Sequence, residues 1–391
     1  MIKLSYLRIE AHLHEEYRTL YGCRGRAEKA WVPKRMLWRA SLAGSTENIR
    51  PVVAKHCEEL SDEHFCAYSF CIFMTLSEVA FFELSFFNSL IKFGGHIMKN
   101  TVFTGAATAI VTPLTKDGID YEQFGRLIDW QIEEGIAAIV AVGTTGEGST
   151  LTDEEHKAAI KFCVEKVGGR VPVIAGTGSN DTAYAIELTK YACEVGADAM
   201  LLVTPYYNKA TQKGLIESFK AVADVSTKPC ILYNVPSRTG CNLLPKTVAA
   251  LADHPNIVAI KEASGNISQI AELAALVGDK IDIYSGNDDQ IVPILSLGGK
   301  GVISVLSNIM PRATQKICDD YMSGNTKQAL ATQLELLPLI NALFCEVNPI
   351  PAKAAVCAMG YCENYLRLPL TPMEAENEAK LLALMKEQNL I

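Results

Sequence analysis

The run Ile257-Val258-Ala259-Ile260-Lys261-Glu262-Ala263 is β-branched and apolar apart from one adjacent pair of charges. A short apolar run of this kind reads as a strand buried on both faces, as in a parallel sheet covered by helices. Seven other runs share its character: 106–112 (AATAIVT), 138–143 (AIVAVG), 171–176 (VPVIAG), 199–204 (AMLLVT), 229–235 (PCILYNV), 281–286 (IDIYSG) and 301–307 (GVISVLS). Amphipathic segments such as 121–134 and 152–167 lie between them, and Thr152 with Glu155 has the spacing of a capping box. Eight strand–helix units over about 200 residues predict an α/β fold, a closed (β/α)8 TIM barrel. An open doubly wound sheet is the alternative, but no Gly-x-Gly-x-x-Gly follows the first strand. From about residue 312 the chain is helix-rich without a further strand. The expected division is a barrel over 98–323 and a C-terminal helical subdomain over 324–391.

The chain has 391 residues, 49% of them hydrophobic and 20% charged, with a net charge of −8. This composition excludes wholesale disorder, collagen and coiled coil. The negative balance argues against a nucleic-acid binder, whose footprint is basic. Twelve cysteines without a Cys-x-x-Cys pair or a secretion signal read as reduced, mostly buried thiols in a cytoplasmic protein.

In such barrels chemistry sits at the C-terminal ends of the strands. Strand 2 runs into Gly143-Thr144-Thr145-Gly146-Glu147-Gly148, where glycines allow hydroxyls and amide N–H groups to converge on an anion. No Gly-Lys-Ser/Thr follows, so a carboxylate or carbonyl fits this loop better than a nucleotide. Alternation puts Ile257, Ala259 and Lys261 on one face. If that face is the barrel interior, the lysine is desolvated and becomes a nucleophilic amine near neutral pH; otherwise it reaches solvent or pairs with a carboxylate. Strand 5 ends in Tyr233-Asn234-Val235-Pro236-Ser237-Arg238-Thr239-Gly240, offering a phenol to relay protons and a guanidinium fork for a carboxylate. Strand 4 ends in Thr204-Pro205-Tyr206-Tyr207-Asn208, aromatics suited to packing or subunit contact, and strand 7 in Gly286-Asn287-Asp288-Asp289. No histidine lies in these loops, which disfavours a zinc-dependent aldolase. A lysine, a tyrosine, hydroxyl donors and an arginine together fit Schiff-base chemistry on a small keto acid, without a cofactor or metal. The competing reading is a barrel that binds a keto acid without turning it over.

The motifs Gly143-Thr144-Thr145-Gly146-Glu147, Thr204-Pro205-Tyr206-Tyr207-Asn208, Tyr233-Asn234-Val235-Pro236 with Arg238-Thr239-Gly240, and Ile260-Lys261-Glu262-Ala263 resemble those of the dihydrodipicolinate (4-hydroxy-tetrahydrodipicolinate) synthase family. The likeness runs from about Met98 to the C-terminus, 294 residues, in the family's order and spacing. It implies an enzyme of lysine and diaminopimelate synthesis that condenses pyruvate with L-aspartate 4-semialdehyde. On that resemblance Lys261 forms the Schiff base, and Thr144, Tyr233 and Tyr207 form a proton relay, with Tyr207 reaching into a neighbouring subunit. Thr144 and Thr145 hold the pyruvate carboxylate, Arg238 holds the carboxylate of the semialdehyde, and Gly286 and Ile303 complete the substrate site. A homotetramer of two tight dimers is implied as well. N-acetylneuraminate lyases and sugar-acid aldolases share the barrel and the lysine, but the lyases usually carry an apolar residue where Arg238 stands. Lysine-inhibited members form an allosteric site with an Asn, a His and a Glu. Here Asn180 and His156 are present, but Tyr184 stands at the Glu position and Asp153 where a second His often lies. Weak or absent lysine inhibition is expected.

Composition changes abruptly at Met98. Residues 1–97 hold 8 of the 13 Phe, 5 of the 7 His and only 5 of the 27 Gly, and carry a net charge of +1. The longest uncharged run there, Phe65 to Ser77, is shorter than the roughly 20 residues of a membrane span, and Glu78 and Glu83 follow it. Eleven acidic residues argue against a transit peptide. Gly94-Gly95 can be encoded by GGAGGN, a ribosome-binding sequence, just upstream of the Met98 codon. The expectation is that 1–97 is an atypical N-terminal extension translated from upstream DNA; the alternative is an added domain or a targeting segment. N-terminal sequencing of the protein from its native organism should read from Met98; a native N-terminus well before Met98 overturns this.

Overall fold

The computed structural model describes residues 101–391; the expectations for 1–97, including that for the Phe65 to Ser77 run, lie outside the described residues. Eight parallel strands form a closed barrel in chain order, the last pairing with the first. They are β1 (Gly105–Ala109), β2 (Ala138–Ala141), β3 (Val173–Gly176), β4 (Ala199–Val203), β5 (Cys230–Asn234), β6 (Ile257–Glu262), β7 (Asp282–Ser285) and β8 (Gly301–Ser304). Each falls inside or within one residue of an expected run, and most stop short of its end. The reason lies in the loops. Val142 leaves β2 with φ +56°, and Leu306–Asn308 coils into a 3₁₀ turn just after β8. The outer layer comprises α1 (Tyr121–Glu133), α2 (Asp153–Val167), α3 (Thr182–Glu194), α4 (Gln212–Val225), α5 (Pro245–Leu251), α6 (Ile267–Val277), α7 (Ile291–Ser296) and α8 (Pro311–Met322). Thr152 and Glu155 make the expected reciprocal capping box at the start of α2, and Gly168 ends that helix with φ +56°.

Period-two alternation separates two cores. Ala107, Val140, Ile174, Leu201, Ile231, Tyr233, Ala259, Tyr284 and Ile303 point into the barrel. Ala106, Ile139, Ala175, Met200, Leu232, Ile260, Ile283 and Val302 point outward against the helices. Burying a Val, Leu or Ile side chain stabilises by about 1.5–3 kcal/mol, so the double burial of each strand supplies much of the driving force for closure. One face assignment differs from the expectation. Cys230 pairs with Ile257 but Ile231 with Ala259, so Val258 is an extra residue in β6. This irregularity turns Ile257 to the outer core and leaves Ala259 in the inner one.

After α8 the chain adds three helices, α9 (Thr326–Ala342), α10 (Ile350–Ala358) and α11 (Ala375–Glu387), and no strand. Leu336, Leu339 and Ile340 of α9, Ala352 to Val356 of α10 except Lys353, and Leu381 and Met385 of α11 belong to the same apolar cluster as the barrel's outer face. The C-terminal helices therefore share the barrel's core rather than building their own. Among the described residues no helix is long and apolar enough to cross a membrane.

The barrel closes where Gly105 of β1 meets Gly301 of β8. Gly301 has φ +153°, and a Cβ there would lie 1.8 Å from the Gly105 carbonyl oxygen. Gly301→Ala should thus lower unfolding stability by about 3 kcal/mol or more, the sum of backbone strain and overpacking. Chemical denaturation checks this, and a loss below about 0.5 kcal/mol, the size of an ordinary surface change, would contradict it.

Candidate active site

Lys261 is placed by β6 on the inner face at the C-terminal end of the barrel, only 6% exposed. Its register partner on β5 is Tyr233, and the ammonium nitrogen sits 4.3 Å from the centre of the Tyr233 ring. Burial pulls the Lys261 pKa down to about 7; the Asp288 carboxylate opposes that shift and the Arg238 guanidinium adds to it. A substantial fraction of the side chain is therefore an uncharged amine at neutral pH. Burial likewise pushes the Tyr233 phenol up, against the nearby charge of Arg238 and a hydrogen bond with Thr144. Asp288 is fully buried behind the lysine, its Oδ2 accepting from the backbone N–H groups of Val305 (3.0 Å) and Leu306 (2.9 Å).

Lys261 opens into a cavity of about 160 Å³, lined also by Thr144, Thr145, Tyr233, Arg238, Gly286, Val305, Phe344 and Asn348. Gly286 makes room for the amine: a Cβ there would come within 2.6 Å of the Ala263 Cβ and 3.1 Å of the Lys261 Cε. The loop after β2 forms the opposite wall. Gly146 passes close to the segment just after β1, where its carbonyl accepts from the Thr112 hydroxyl at 2.8 Å, and a Cβ would stand 3.1 Å from the Ile110 carbonyl oxygen. The buried Thr145 hydroxyl accepts from Asn348 Nδ2 at 3.0 Å, while Thr144 is exposed to the cavity. Arg238 sits on the single turn Pro236–Thr239, and its Nη2 donates to the Asn348 carbonyl at 3.1 Å.

The structure thus brings Lys261, Tyr233, Thr144, Thr145, Arg238 and Gly286 to one cavity. Ile303 lies one layer deeper, fully buried in the inner core, and Val305 takes the cavity wall on that side. Tyr207 stands apart. It is 92% exposed, on a loop where its own φ is +67° and that of Lys209 is +53°.

A second, larger cavity of about 420 Å³ adjoins the first, sharing Gly143, Thr144, Leu201, Tyr233, Val235 and Arg238 with it. His156 and Tyr184 line this larger space. Nε2 of His156 is 2.9 Å from the Gly176 carbonyl, and burial lowers the pKa of the ring. The Tyr184 hydroxyl donates to Asp153 Oδ1 at 2.9 Å, and burial followed by that bond pushes the phenol up to about 12. Asp153 is further tied to Lys157 at 2.7 Å. Asn180 is only half-buried, and its carbonyl accepts from Asn208 Nδ2 at 2.9 Å.

Sequence reasoning assigned nothing to Asn348, Phe344 or Asp288. Asn348 and Phe344 come from the C-terminal helical region, far from any strand end. A signal existed in Asn348-Pro349-Ile350-Pro351-Ala352-Lys353, where the polar residues interrupt an apolar stretch. On the outer face of β5 and β6, directly behind Tyr233 and Lys261, Asn234 Nδ2 donates to both oxygens of Glu262 (3.2 and 3.1 Å), and the Ser264 N–H donates to Glu262 Oε1 at 2.7 Å. This network fixes the two strand ends that carry the amine and the phenol.

Comparisons with known proteins agree with the geometry. The model of the dihydrodipicolinate synthetase family matches residues 102–388. A 4-hydroxy-tetrahydrodipicolinate synthase of Acetivibrio thermocellus is 55% identical over 294 residues, covering 75% of this chain and 100% of that protein. One from Clostridium tetani is 57% identical over 278 residues, covering 71% of this chain and 95% of that protein. The crystal structure of the Aquifex aeolicus dihydrodipicolinate synthase superposes with a TM-score of 0.73 at 44% identity, covering 74% of this chain and 99% of that one. That of the Acinetobacter baumannii synthase complexed with pyruvate gives 0.73 at 46%, covering 74% and 100%. With its barrel, its buried strand-end lysine and these matches, the chain belongs to the dihydrodipicolinate synthetase family.

Proposed function

We propose that the chain condenses pyruvate with L-aspartate 4-semialdehyde to give 4-hydroxy-tetrahydrodipicolinate, as the names of its relatives indicate. The carrying observation is the desolvated Lys261 amine in a cavity furnished with hydroxyls and a guanidinium. The amine attacks the pyruvate ketone and water leaves, giving an iminium. Loss of a methyl proton then gives an enamine, because the iminium accepts the electron pair. The enamine carbon attacks the aldehyde, and the amine of the semialdehyde displaces Lys261 as the ring closes, so one water is released overall. Tyr233, hydrogen-bonded to Thr144, moves protons in these steps, and the Thr144 and Thr145 hydroxyls hold the pyruvate carboxylate. Arg238 takes the carboxylate of the second substrate, a bidentate task to which its planar fork is suited. Gly286 keeps space beside the amine, and Ile303 supports the cavity floor. Tyr207 completes the relay from a neighbouring subunit of a homotetramer; its exposure supports that role, since a tyrosine so unburied on a loop with two left-handed residues has no packing partner of its own. The free thiols of all eight described cysteines fit a cytoplasmic enzyme. The synthase names of the relatives do not favour the lyase or sugar-acid aldolase alternative.

The Asn180, His156 and Tyr184 region does not suit lysine as an inhibitor. No carboxylate lines the larger cavity, and Asp153 nearby is already held by Lys157 and Tyr184. An alkylammonium entering there would be desolvated without a counter-charge.

Two outcomes are expected. Pyruvate followed by borohydride should leave a reduced adduct on Lys261, and the trapping rate should rise with pH through an inflection near 7, since the reactive form is the unprotonated amine. A folded sample with no adduct, or an inflection near the ordinary lysine value of about 10.4, would break the mechanism. In steady-state assays millimolar lysine should leave the rate almost unchanged; strong inhibition below that concentration would overturn the account of the larger cavity.

A further inference from the structure

Lys353 lies in α10, in the apolar sequence Ile350-Pro351-Ala352-Lys353-Ala354-Ala355-Val356, with its side chain wholly buried. It reaches out of the C-terminal helices to Glu147, equally buried, on the loop that carries Thr144 and Thr145. The ammonium also donates to the Tyr365 carbonyl at 3.1 Å, so its hydrogen bonds go to the loop and to the following segment, and Lys353 does not line the cavity of Lys261. Glu147 is a non-glycine residue held at φ +56°, a conformation that needs outside support. Its second oxygen accepts from the Arg367 N–H at 3.3 Å. The Arg367 guanidinium grips the far end of the same loop and the start of α2, donating to the Thr150 carbonyl at 3.0 Å and to both oxygens of Glu155 at 2.5 Å. Asn348 holds Thr145 between them.

We infer that Lys353, acting through Glu147 and seconded by Arg367, is a positioning residue that sets the Thr144–Thr145 hydroxyls for the carboxylate of the keto acid. An ion pair is an expensive way to fill a core, because well-packed apolar residues of similar volume stabilise equally well or better. What the pair adds is a fixed, directional link between α10 and a loop that is otherwise strained. Displacing substrate-holding groups by about 1 Å can change rates by roughly 100-fold. The link acts on the first substrate, since Glu147 lies on the loop that carries Thr144 and Thr145, whereas Arg238, which serves the second, is fastened to the backbone carbonyl of Asn348 rather than to Glu147 or Lys353. This inference rests on the Schiff-base reading above.

The test compares the full-length wild type with Lys353→Met, with the paired neutral variant Glu147→Gln/Lys353→Met, and with Arg367→Ala. The paired variant removes the directional link without stranding a buried charge. Thermal unfolding and circular dichroism report folding, and pyruvate-dependent borohydride trapping and steady-state kinetics report function. In the folded paired variant, KM for pyruvate and the pyruvate concentration that half-saturates trapping should both rise by about 10-fold or more. KM for the semialdehyde should stay within about twofold, the spread of an unaffected site. Arg367→Ala should raise the pyruvate value by about threefold. A merely structural pair would lower the active fraction, and hence kcat, while leaving the pyruvate KM of the folded enzyme unchanged; that result overturns the inference. If neither variant of the buried pair folds, Arg367→Ala decides on the same criterion. Absence of trapping in the wild type would instead overturn the Schiff-base reading itself.

Discussion

A lysine placed inside a closed barrel cannot keep its ordinary charge state unless a counter-ion accompanies it, and the features around Lys261 follow from that constraint. The barrel interior excludes water, so the ammonium loses hydration and its proton is held less tightly. Asp288 limits the loss without abolishing it: its own carboxylate is buried and spends one oxygen on two backbone N–H groups. The aromatic face of Tyr233 lies against the amine, and Gly286 leaves the volume in which the side chain can extend. Each of these neighbours tunes one buried amine or leaves room for it.

The supporting layer is as ordered as the site itself. Behind the inner-facing pair Tyr233 and Lys261, the outer-facing pair Asn234 and Glu262 binds the same two strands together through side chains. Opposite them, the loop after β2 is fastened from outside the barrel by residues of the C-terminal helices. The cavity of Lys261 is thus made by two structural regions: the strand ends supply the amine and the phenol, and the C-terminal helices hold the loop that faces them.

All eight barrel strands were legible in the sequence because a strand buried on both faces has a continuous apolar signature bounded by turn residues. Lys261 was legible for the same reason, a charge inside such a run. The capping box of α2 was read from two residues and is present. The misread face of Ile257 has a definite physical origin. Strict alternation presumes an unbroken ladder, and the extra residue Val258 shifts the phase by one. Asn348 and Lys353 escaped because their partners, Thr145 and Glu147, are more than 200 positions away in the chain. No local periodicity encodes a contact of that range. Tyr207 is a different case: within one chain its side chain meets solvent, so a role for it depends on a surface that a single chain does not supply.

The sequence separations of these fastenings bear on how the molecule comes into being. Thr145 to Asn348 spans 203 positions, Glu147 to Lys353 spans 206, and Glu155 to Arg367 spans 212. Contacts so distant are closed late, after the nearer strand–helix units have paid their loop-closure entropy. During synthesis the β2 loop is made early yet waits for α10 and the Arg367 segment to emerge before its left-handed turn is secured. The consecutive strand–helix units can therefore pair first, while closure of β1 on β8 and the securing of the half of the cavity that faces the amine both wait for distant parts of the chain.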